Sequence, residues 1–240
     1  MGTLTLVGTI HRDPNGFPRL MEILEGESPD IITLEMSEYG VGFRKRNGPR
    51  LREKLFDILR GLSGESIQRE RGKSNKSRSP FEAGAIGGIL LFLELPFEFR
   101  TIRAYCERKG IPFRCIDLSN YSRAKLEKIQ EEMITVDNLR KIPNFPPMDQ
   151  HEELQKQRIL AQRLTSEDVD QFLVEAFLNG RMGNGMAQRD RYMSLRIKEI
   201  MRNHGHTVHV GGWEHLLDDP PGKTLYGLLK DLGPRRVLTL

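Results

Sequence analysis

Short hydrophobic runs and longer amphipathic stretches follow one another along the chain, an order that is typical of α/β proteins. Residues 3–8 and 31–36 each predict a short buried strand, because apolar residues stand close together between turn residues. Residues 17–27, between them, place apolar side chains on one helical face. This β-turn-α-β unit builds parallel sheets, and we expect its two strands to lie side by side.

The remaining hydrophobic pattern predicts further strands and a long, mainly helical region. The predicted fold class is α/β, with a central, mostly parallel sheet of about four to five strands. A large helical insertion, at about residues 40–180, separates the second and fourth strands. Residues 64–79 are polar and basic and predict a loop, and residues 138–149 are rich in proline and predict irregular structure. The other predicted elements are strands at 111–117, 207–211 and 236–240 and helices at 50–61, 81–93, 97–109, 121–136, 150–180, 186–203 and 223–231.

The chain has 240 residues, of which 38% are hydrophobic, so it can bury a sizeable core. No linker separates two cores, and we expect one domain over residues 1–240. The net charge is +4, with basic residues concentrated at 44–78. Nucleic-acid-binding surfaces usually combine such a stretch with interleaved aromatic residues. This stretch has few aromatic residues, so we expect no nucleic-acid partner.

Cysteine usage and hydropathy predict a reducing, aqueous compartment. Cys106 and Cys115 have no metal-site spacing and no second pair beside them, so we expect reduced thiols. The N-terminal residues lack the features of a signal peptide. The apolar run at residues 83–96 is too short to span a bilayer. We therefore expect a cytoplasmic protein without a transmembrane segment, and the sequence leaves open whether it forms a homodimer.

Two predicted strands are followed by the same local motif, a glycine, two residues and a histidine. The first is Gly8-Thr9-Ile10-His11 and the second is Gly212-Trp213-Glu214-His215. Gly8 and Gly212 allow the chain to turn sharply. In an open α/β sheet the ligand site lies at the carboxyl ends of the strands. We therefore expect both histidines at that edge, although a histidine there is often only a hydrogen-bonded loop residue.

Glu35 ends the second predicted strand and is expected at the same edge as His11 and His215. Imidazole and carboxylate ligands together suit Zn, Mn, Fe or Co. The three residues therefore predict a divalent metal site, with His11 and His215 as ligands and Glu35 as the third ligand or as general base. The alternative for Glu35 is a solvated carboxylate at a strand end.

Arg189 and Asp190 open the long predicted helix that precedes the fourth strand. Charged residues in the first turn of a helix usually face solvent. Here they follow a glycine-rich loop, and an arginine in that place can hold a carboxylate or an oxyanion by a bidentate contact. We therefore expect Arg189 in the site and Asp190 in a supporting position.

Taken in order, these motifs resemble those of the TraB family and of the related Tiki-type metalloproteases. The matching residues are Gly8–His11, Leu34-Glu35, Arg189-Asp190 with Met193, and the run Val210–Leu216 around His215. The resemblance covers both ends of the chain, whereas residues 40–180 match only in being mostly helical. It implies a fold shared with erythromycin-esterase-like and haem-binding ChaN-like proteins. It also implies hydrolysis, of a peptide in the Tiki-type members, with a divalent metal.

Two functional hypotheses follow. In the first, the protein is a metal-dependent peptide or amide hydrolase in which Arg189 binds the substrate carboxylate or the developing oxyanion. A metal-free form of this hypothesis makes His11 the base that activates water, as in an esterase. In the second, the same site binds a small molecule, haem or a peptide without turnover.

Overall fold

Five parallel strands form one sheet in the computed structural model, in the order β3-β2-β4-β1-β5. The structure describes residues 2–11, 13–69, 84–141, 150–181, 184–219 and 222–240. The strands are β1 (Thr3–Thr9), β2 (Ile31–Leu34), β3 (Phe113–Cys115), β4 (His206–Gly212) and β5 (Arg235–Leu238). The predicted α/β class with a mostly parallel sheet is therefore confirmed.

Helices fill most of the rest of the described chain, and a large helical region lies between β2 and β4, as predicted. A π-helical turn covers Ile129–Met133, and 3₁₀ turns cover Trp213–Leu216 and Lys230–Leu232. The α-helices are α1 (Gly16–Glu27), α2 (Glu38–Arg69), α3 (Gly84–Leu93), α4 (Phe97–Lys109), α5 (Ser119–Lys128), α6 (Val136–Lys141), α7 (Gln150–Leu164), α8 (Gln171–Arg181), α9 (Asn184–Met201) and α10 (Leu225–Leu229).

The pairing of β1 with β4 sets the register at the centre of the sheet. Gly8 lies opposite Gly211, and Thr9 lies opposite Gly212. Strands buried on both faces are apolar along their whole length, and six of the seven residues in each of these strands are buried. The register matters for function, because it brings the two Gly-x-x-His turns together at the carboxyl edge.

The expected pairing of β1 with β2 is wrong, because β4 lies between them. β2 pairs with β4 on one side and with β3 on the other. Burial along β4 explains the difference, since Val208, His209 and Val210 are fully buried, as is typical of a central strand. The consequence is that the strand before His215 separates the strands before His11 and Glu35.

Helix α2 is much longer than the 50–61 helix that the sequence predicted, and it replaces part of a predicted loop. Residues 64–69 are helical instead of irregular, whereas residues 70–79 lie outside the described part of the chain. Leu51, Leu55 and Leu59 recur at the helical spacing of four and are buried, and tertiary packing of this kind stabilises a helix beyond its local preference. Residues 138–141 are likewise helical, and 142–149 are not described.

The chain folds as two compact units. One comprises residues 1–38, 96–118 and 154–240 and contains the sheet. The other comprises residues 39–95 and 119–153; its core includes Leu55, Ile89 and Leu126. Among the described residues, no helix is both long and apolar enough to cross a membrane. The expectation of one domain over residues 1–240 stays a prediction.

The close packing around Gly8 yields a first test. A Cβ atom at Gly8 would lie 2.9 Å from Trp213 Cα and 2.9 Å from Leu238 Cδ2. We expect Gly8→Ala to lower the free energy of unfolding by about 1–3 kcal/mol, because the backbone of Trp213 cannot move aside freely. Urea denaturation measures the change.

Gly26→Ala is the matched control. A Cβ atom at Gly26, within α1, meets nothing within 4 Å, so this substitution should raise stability by about 0.5–1 kcal/mol. Equal stabilities of the two variants would contradict the packing described for Gly8.

Candidate functional site

Polar side chains follow four neighbouring strands of the sheet at the same edge. His11 comes two residues after β1, Glu35 directly after β2, Asp117 two residues after β3, and His215 three residues after β4. The carboxyl ends of parallel strands share one edge. The parallel strands therefore place His11, Glu35 and His215 at one edge of the sheet.

The Glu35 carboxylate lies at the centre of the site and is 7% exposed. Its Oε1 atom accepts hydrogen bonds from Arg189 Nη2 at 2.5 Å and from His215 Nε2 at 3.0 Å. Its Oε2 atom accepts the Gly212 amide at 2.7 Å. Burial alone would raise the pKa of Glu35, but the positive charges on His215 and Arg189 hold it well below its ordinary value.

His215 is enclosed between two carboxylates. Its Nε2 atom faces Glu35, and its Nδ1 atom lies 2.5 Å from Asp190 Oδ1. The side chain is 4% exposed. Burial lowers the pKa of His215, yet Glu35 and Asp190 together raise it well above its ordinary value of 6.5. The two carboxylates therefore favour the charged imidazolium form of His215.

Asp190 supports this histidine from the first half of α9 and is completely buried. Its second oxygen, Oδ2, accepts the Leu225 amide at 3.0 Å, at the start of α10. Burial raises the pKa of Asp190, and the charge on His215 opposes that shift. The supporting position predicted for Asp190 thus corresponds to a contact with His215.

Arg189 reaches the site as expected, but its partners belong to the protein. It donates from Nε and Nη2 to the two oxygens of Asp117, at 2.9 and 2.8 Å, in addition to its bond with Glu35. Its side chain is 13% exposed. These contacts favour a role in holding Glu35 and Asp117 together. The predicted contact of Arg189 with a substrate carboxylate or oxyanion stays a prediction.

His11 differs from His215 because its side chain is 58% exposed. Its Nδ1 atom lies 2.8 Å from Glu98 Oε1, and the Glu98 side chain is 3% exposed. Partial desolvation by nearby protein atoms lowers the pKa of His11, but the Glu98 carboxylate more than offsets this, so the pKa is raised above its ordinary value of 6.5. His11 therefore pairs with a buried carboxylate through Nδ1 and is open to solvent.

The space beside Gly212 connects His11 with Glu35. A Cβ atom placed on Gly212 would lie 3.1 Å from His11 Nε2 and 3.5 Å from Glu35 Oε2. Only a residue without a side chain leaves both atoms where they are. The glycine predicted to permit a turn thus also leaves room for two functional groups to approach the backbone.

The turn that carries His11 is anchored by Asp13, which is 3% exposed. Asp13 Oδ2 accepts hydrogen bonds from Arg19 at 3.0 Å and from Arg158 at 2.8 Å, and Oδ1 accepts the Asn15 amide at 2.9 Å. A buried carboxylate with several donors holds its loop firmly. Asp13, two residues after His11, is therefore firmly held.

Trp213 anchors the second turn. It is 3% exposed, its indole donates to Gln157 Oε1 at 3.3 Å, and its ring lies 5.4 Å from that of Phe177. Buried tryptophan usually pairs its N–H with an acceptor in this way. The packing of Trp213 helps to turn His215 into the protein interior.

Three polar residues at the site were not singled out by sequence reasoning. Asp117 carried the same signal as Glu35, an acidic residue at the end of a predicted strand. Glu98 carried none, because acidic residues in the first turn of a helix are common. His209 lies inside β4, where its local sequence does not indicate a site residue, and its Nδ1 atom lies 3.0 Å from Thr33 Oγ1.

His209 is completely buried, and its Nε2 atom has no hydrogen-bond partner within the described part of the chain. A Cβ atom at Gly211 would lie 3.1 Å from this nitrogen and 2.9 Å from Glu35 Oε2. Burial lowers the pKa of His209 to about 3. His209 is therefore a neutral imidazole close to Glu35.

The predicted metal ligands are already paired with one another or with other groups. Both nitrogens of His215 face carboxylates, and both oxygens of Glu35 accept hydrogen bonds. A metal ligand needs a free lone pair directed at the ion. Within the described ranges, no three His, Cys, Asp or Glu side chains are grouped to hold a metal ion. The residues as paired do not fit a metal held by His11, His215 and Glu35, and metal binding stays a prediction.

Comparisons with protein-family models, with curated proteins and with solved structures found no match to this chain. The likeness to TraB proteins rests on motif order and spacing and stays a prediction, as does the cytoplasmic location. A fold alone does not specify chemistry, so the side chains of the site are the basis for the function.

The paired charges predict a pH dependence of stability. The pKa of His215 is raised in the folded state, so its contribution is complete below its unfolded pKa and is lost as pH rises through the folded pKa. We expect His215→Gln to cost up to about 3–5 kcal/mol near pH 6. The difference from wild type should shrink at alkaline pH. Urea denaturation across pH, with chelator present, measures it.

His151→Gln is the control, since His151 is exposed in α7, and it should leave the pH profile of the wild type unchanged. A constant difference between wild type and His215→Gln from pH 6 to 10 would show that His215 is not the charged partner of Glu35 and Asp190.

Proposed function

We propose that this protein is a hydrolase that cleaves amide or ester bonds, in a peptide or a small molecule, with His11 as the general base. The observation that carries the proposal is the contrast between the two motif histidines. His215 is buried with each nitrogen within 3.0 Å of a carboxylate oxygen, whereas His11 is 58% exposed and, among the described residues, is held through Nδ1 by Glu98. This is the arrangement that general base catalysis requires, a supported imidazole with its second nitrogen available.

In the proposed reaction, His11 Nε2 removes a proton from a water molecule as that water attacks the carbonyl carbon of the substrate. The new C–O bond gives a tetrahedral intermediate. When the intermediate collapses, the C–N or C–O bond to the leaving group breaks, and the imidazolium of His11 returns the proton to the leaving group. Water is consumed, and no oxidant or reductant is needed.

A second group of residues stabilises the site in this proposal. It consists of Glu35, His215, Arg189 and Asp117. Its charges are paired in the folded protein, and its members lie on four separate elements. Such an arrangement needs little reorganisation during a reaction, which is the basis of electrostatic preorganisation. Glu35 also binds the Gly212 amide, so the cluster fixes the backbone next to His11 Nε2.

In the metal-dependent form of the hypothesis, His11, His215 and Glu35 would bind a divalent ion. A divalent ion would lower the pKa of water and polarise the carbonyl. The pairing of His215 and Glu35 favours the metal-free form, in which these two residues stabilise the site and His11 activates water.

Substitution of His11 tests the proposal. We expect His11→Gln to lower kcat/KM by about 10²–10⁴-fold, because the base is lost. Urea denaturation of the same variant measures the accompanying change in stability, since the buried Glu98 loses its imidazole partner. Hydrolysis of p-nitrophenyl esters and of quenched-fluorescence peptides gives the rates. In the wild type, kcat/KM should rise with pH, with a midpoint above 6.5, since the pKa of His11 is raised.

His151→Gln again serves as the matched control and should retain full activity. Wild-type turnover in the His11→Gln variant would contradict the assignment of the base. Absence of turnover in the wild type on every substrate, together with thermal stabilisation by a small molecule, haem or peptide, would identify a binding protein instead.

Elemental analysis of protein purified without chelator tests the metal prediction. The pairing of His215 and Glu35 leads us to expect less than stoichiometric Mn, Co, Fe or Zn. The comparison is with the double variant His11→Ala/His215→Ala. One equivalent of metal in the wild type, lost in the double variant, would restore the metal-dependent mechanism.

A further inference from the structure

Glu98 contacts the proposed base from an element that carries none of the predicted motifs. It lies in the first turn of α4 and is 2% exposed. Its Oε1 atom lies 2.8 Å from His11 Nδ1 and 2.8 Å from Thr9 Oγ1. An acidic residue in the first turn of a helix usually faces solvent and complements the helix dipole. A buried one requires another explanation.

A purely structural role does not explain the hydrogen bonding of Glu98. Its Oε2 atom is buried and has no hydrogen-bond partner among the described residues. Leaving a buried polar atom unpaired costs free energy. The Thr9 hydroxyl would keep a hydrogen-bond acceptor without the Glu98 carboxylate, because it also lies 3.1 Å from the Gly211 carbonyl. Features that stability does not require are more common at functional sites than elsewhere.

The contact specifies which nitrogen of His11 carries the proton. A carboxylate only accepts hydrogen bonds, so neutral His11 must be protonated at Nδ1. The lone pair then belongs to Nε2, the atom that lies beside Gly212. Free histidine in water favours the opposite tautomer, with the proton on Nε2, and would present a donor where a base is needed.

We propose that Glu98 is a positioning residue that selects the Nδ1–H tautomer of His11 and orients its ring, so that Nε2 is the acceptor of the proton from water. This inference deepens the proposed hydrolase function and rests on it for its catalytic meaning. The tautomer itself is a property of the free protein and is measurable without a substrate.

The test is long-range ¹H–¹⁵N correlation NMR on protein labelled with ¹⁵N-histidine, at a pH where His11 is neutral. His11→Gln assigns the signals. In the wild type we expect the Nδ1–H tautomer to dominate. In Glu98→Leu, which removes the acceptor, the Nε2–H tautomer should dominate. Glu98→Gln keeps an acceptor oxygen without the charge and should retain Nδ1–H.

Activity gives the second readout. A positioning role predicts that Glu98→Leu lowers kcat by about 10²–10⁴-fold with little change in KM, because the wrong nitrogen is protonated. Glu98→Gln should recover part of that loss. Glu107→Leu is the control on the same helix, where Glu107 is exposed and pairs with Arg103. It should change neither the tautomer nor kcat.

An Nε2–H tautomer in the wild type overturns the proposal without any Glu98 variant, so poor folding of Glu98→Leu would not leave it untested. An unchanged tautomer in folded Glu98→Leu overturns it as well. If the tautomers behave as expected but no substrate is hydrolysed, the proposed function fails and the positioning of His11 by Glu98 stands.

Discussion

The buried charge of Glu35 is the constraint on which the site depends. A carboxylate that is 7% exposed cannot remain ionised without partners, and the loss of one partner of a buried ion pair costs about 3–5 kcal/mol. Arg189, His215 and the Gly212 amide provide the compensation. They belong to α9, to the turn after β4 and to β4 itself, so the folding of these elements and the neutralisation of the charge depend on one another.

This constraint separates the two histidines that share a motif. His215 lies in a 3₁₀ turn that directs it inward, where Glu35 and Asp190 enclose it and favour its charged form. His11 lies two residues after β1 with its side chain 58% exposed, and its Nδ1 atom faces the Glu98 carboxylate. Similar spacing therefore leads to different chemistry. One histidine is confined between two carboxylates that favour its charged form, and the other presents Nε2 to solvent beside Gly212.

Sequence reasoning found residues placed at strand ends and missed those that reach the site from elsewhere. His11, Glu35 and His215 were found because a parallel sheet collects its strand ends at one edge. Asp117 also follows a strand, β3, and its position at the end of that strand could have predicted it. Glu98 lies on a helix, and His209 lies inside β4, so nothing local distinguishes them from a surface carboxylate and a packed core residue. The order of β4 between β1 and β2 was missed for the same reason, because strand neighbours depend on long-range packing.

Hydrophobic periodicity and glycine turns act over a few residues, so the α/β class, the parallel strands and the candidate residues at their carboxyl ends follow from the sequence alone. Which groups pair depends on the folded protein. The tertiary structure placed Arg189 against Glu35 and Asp117, His215 between two carboxylates, and His11 against Glu98. The physical reason is that protonation and hydrogen bonding depend on burial and on charges within a few ångströms, and these neighbours come from segments far apart in the chain.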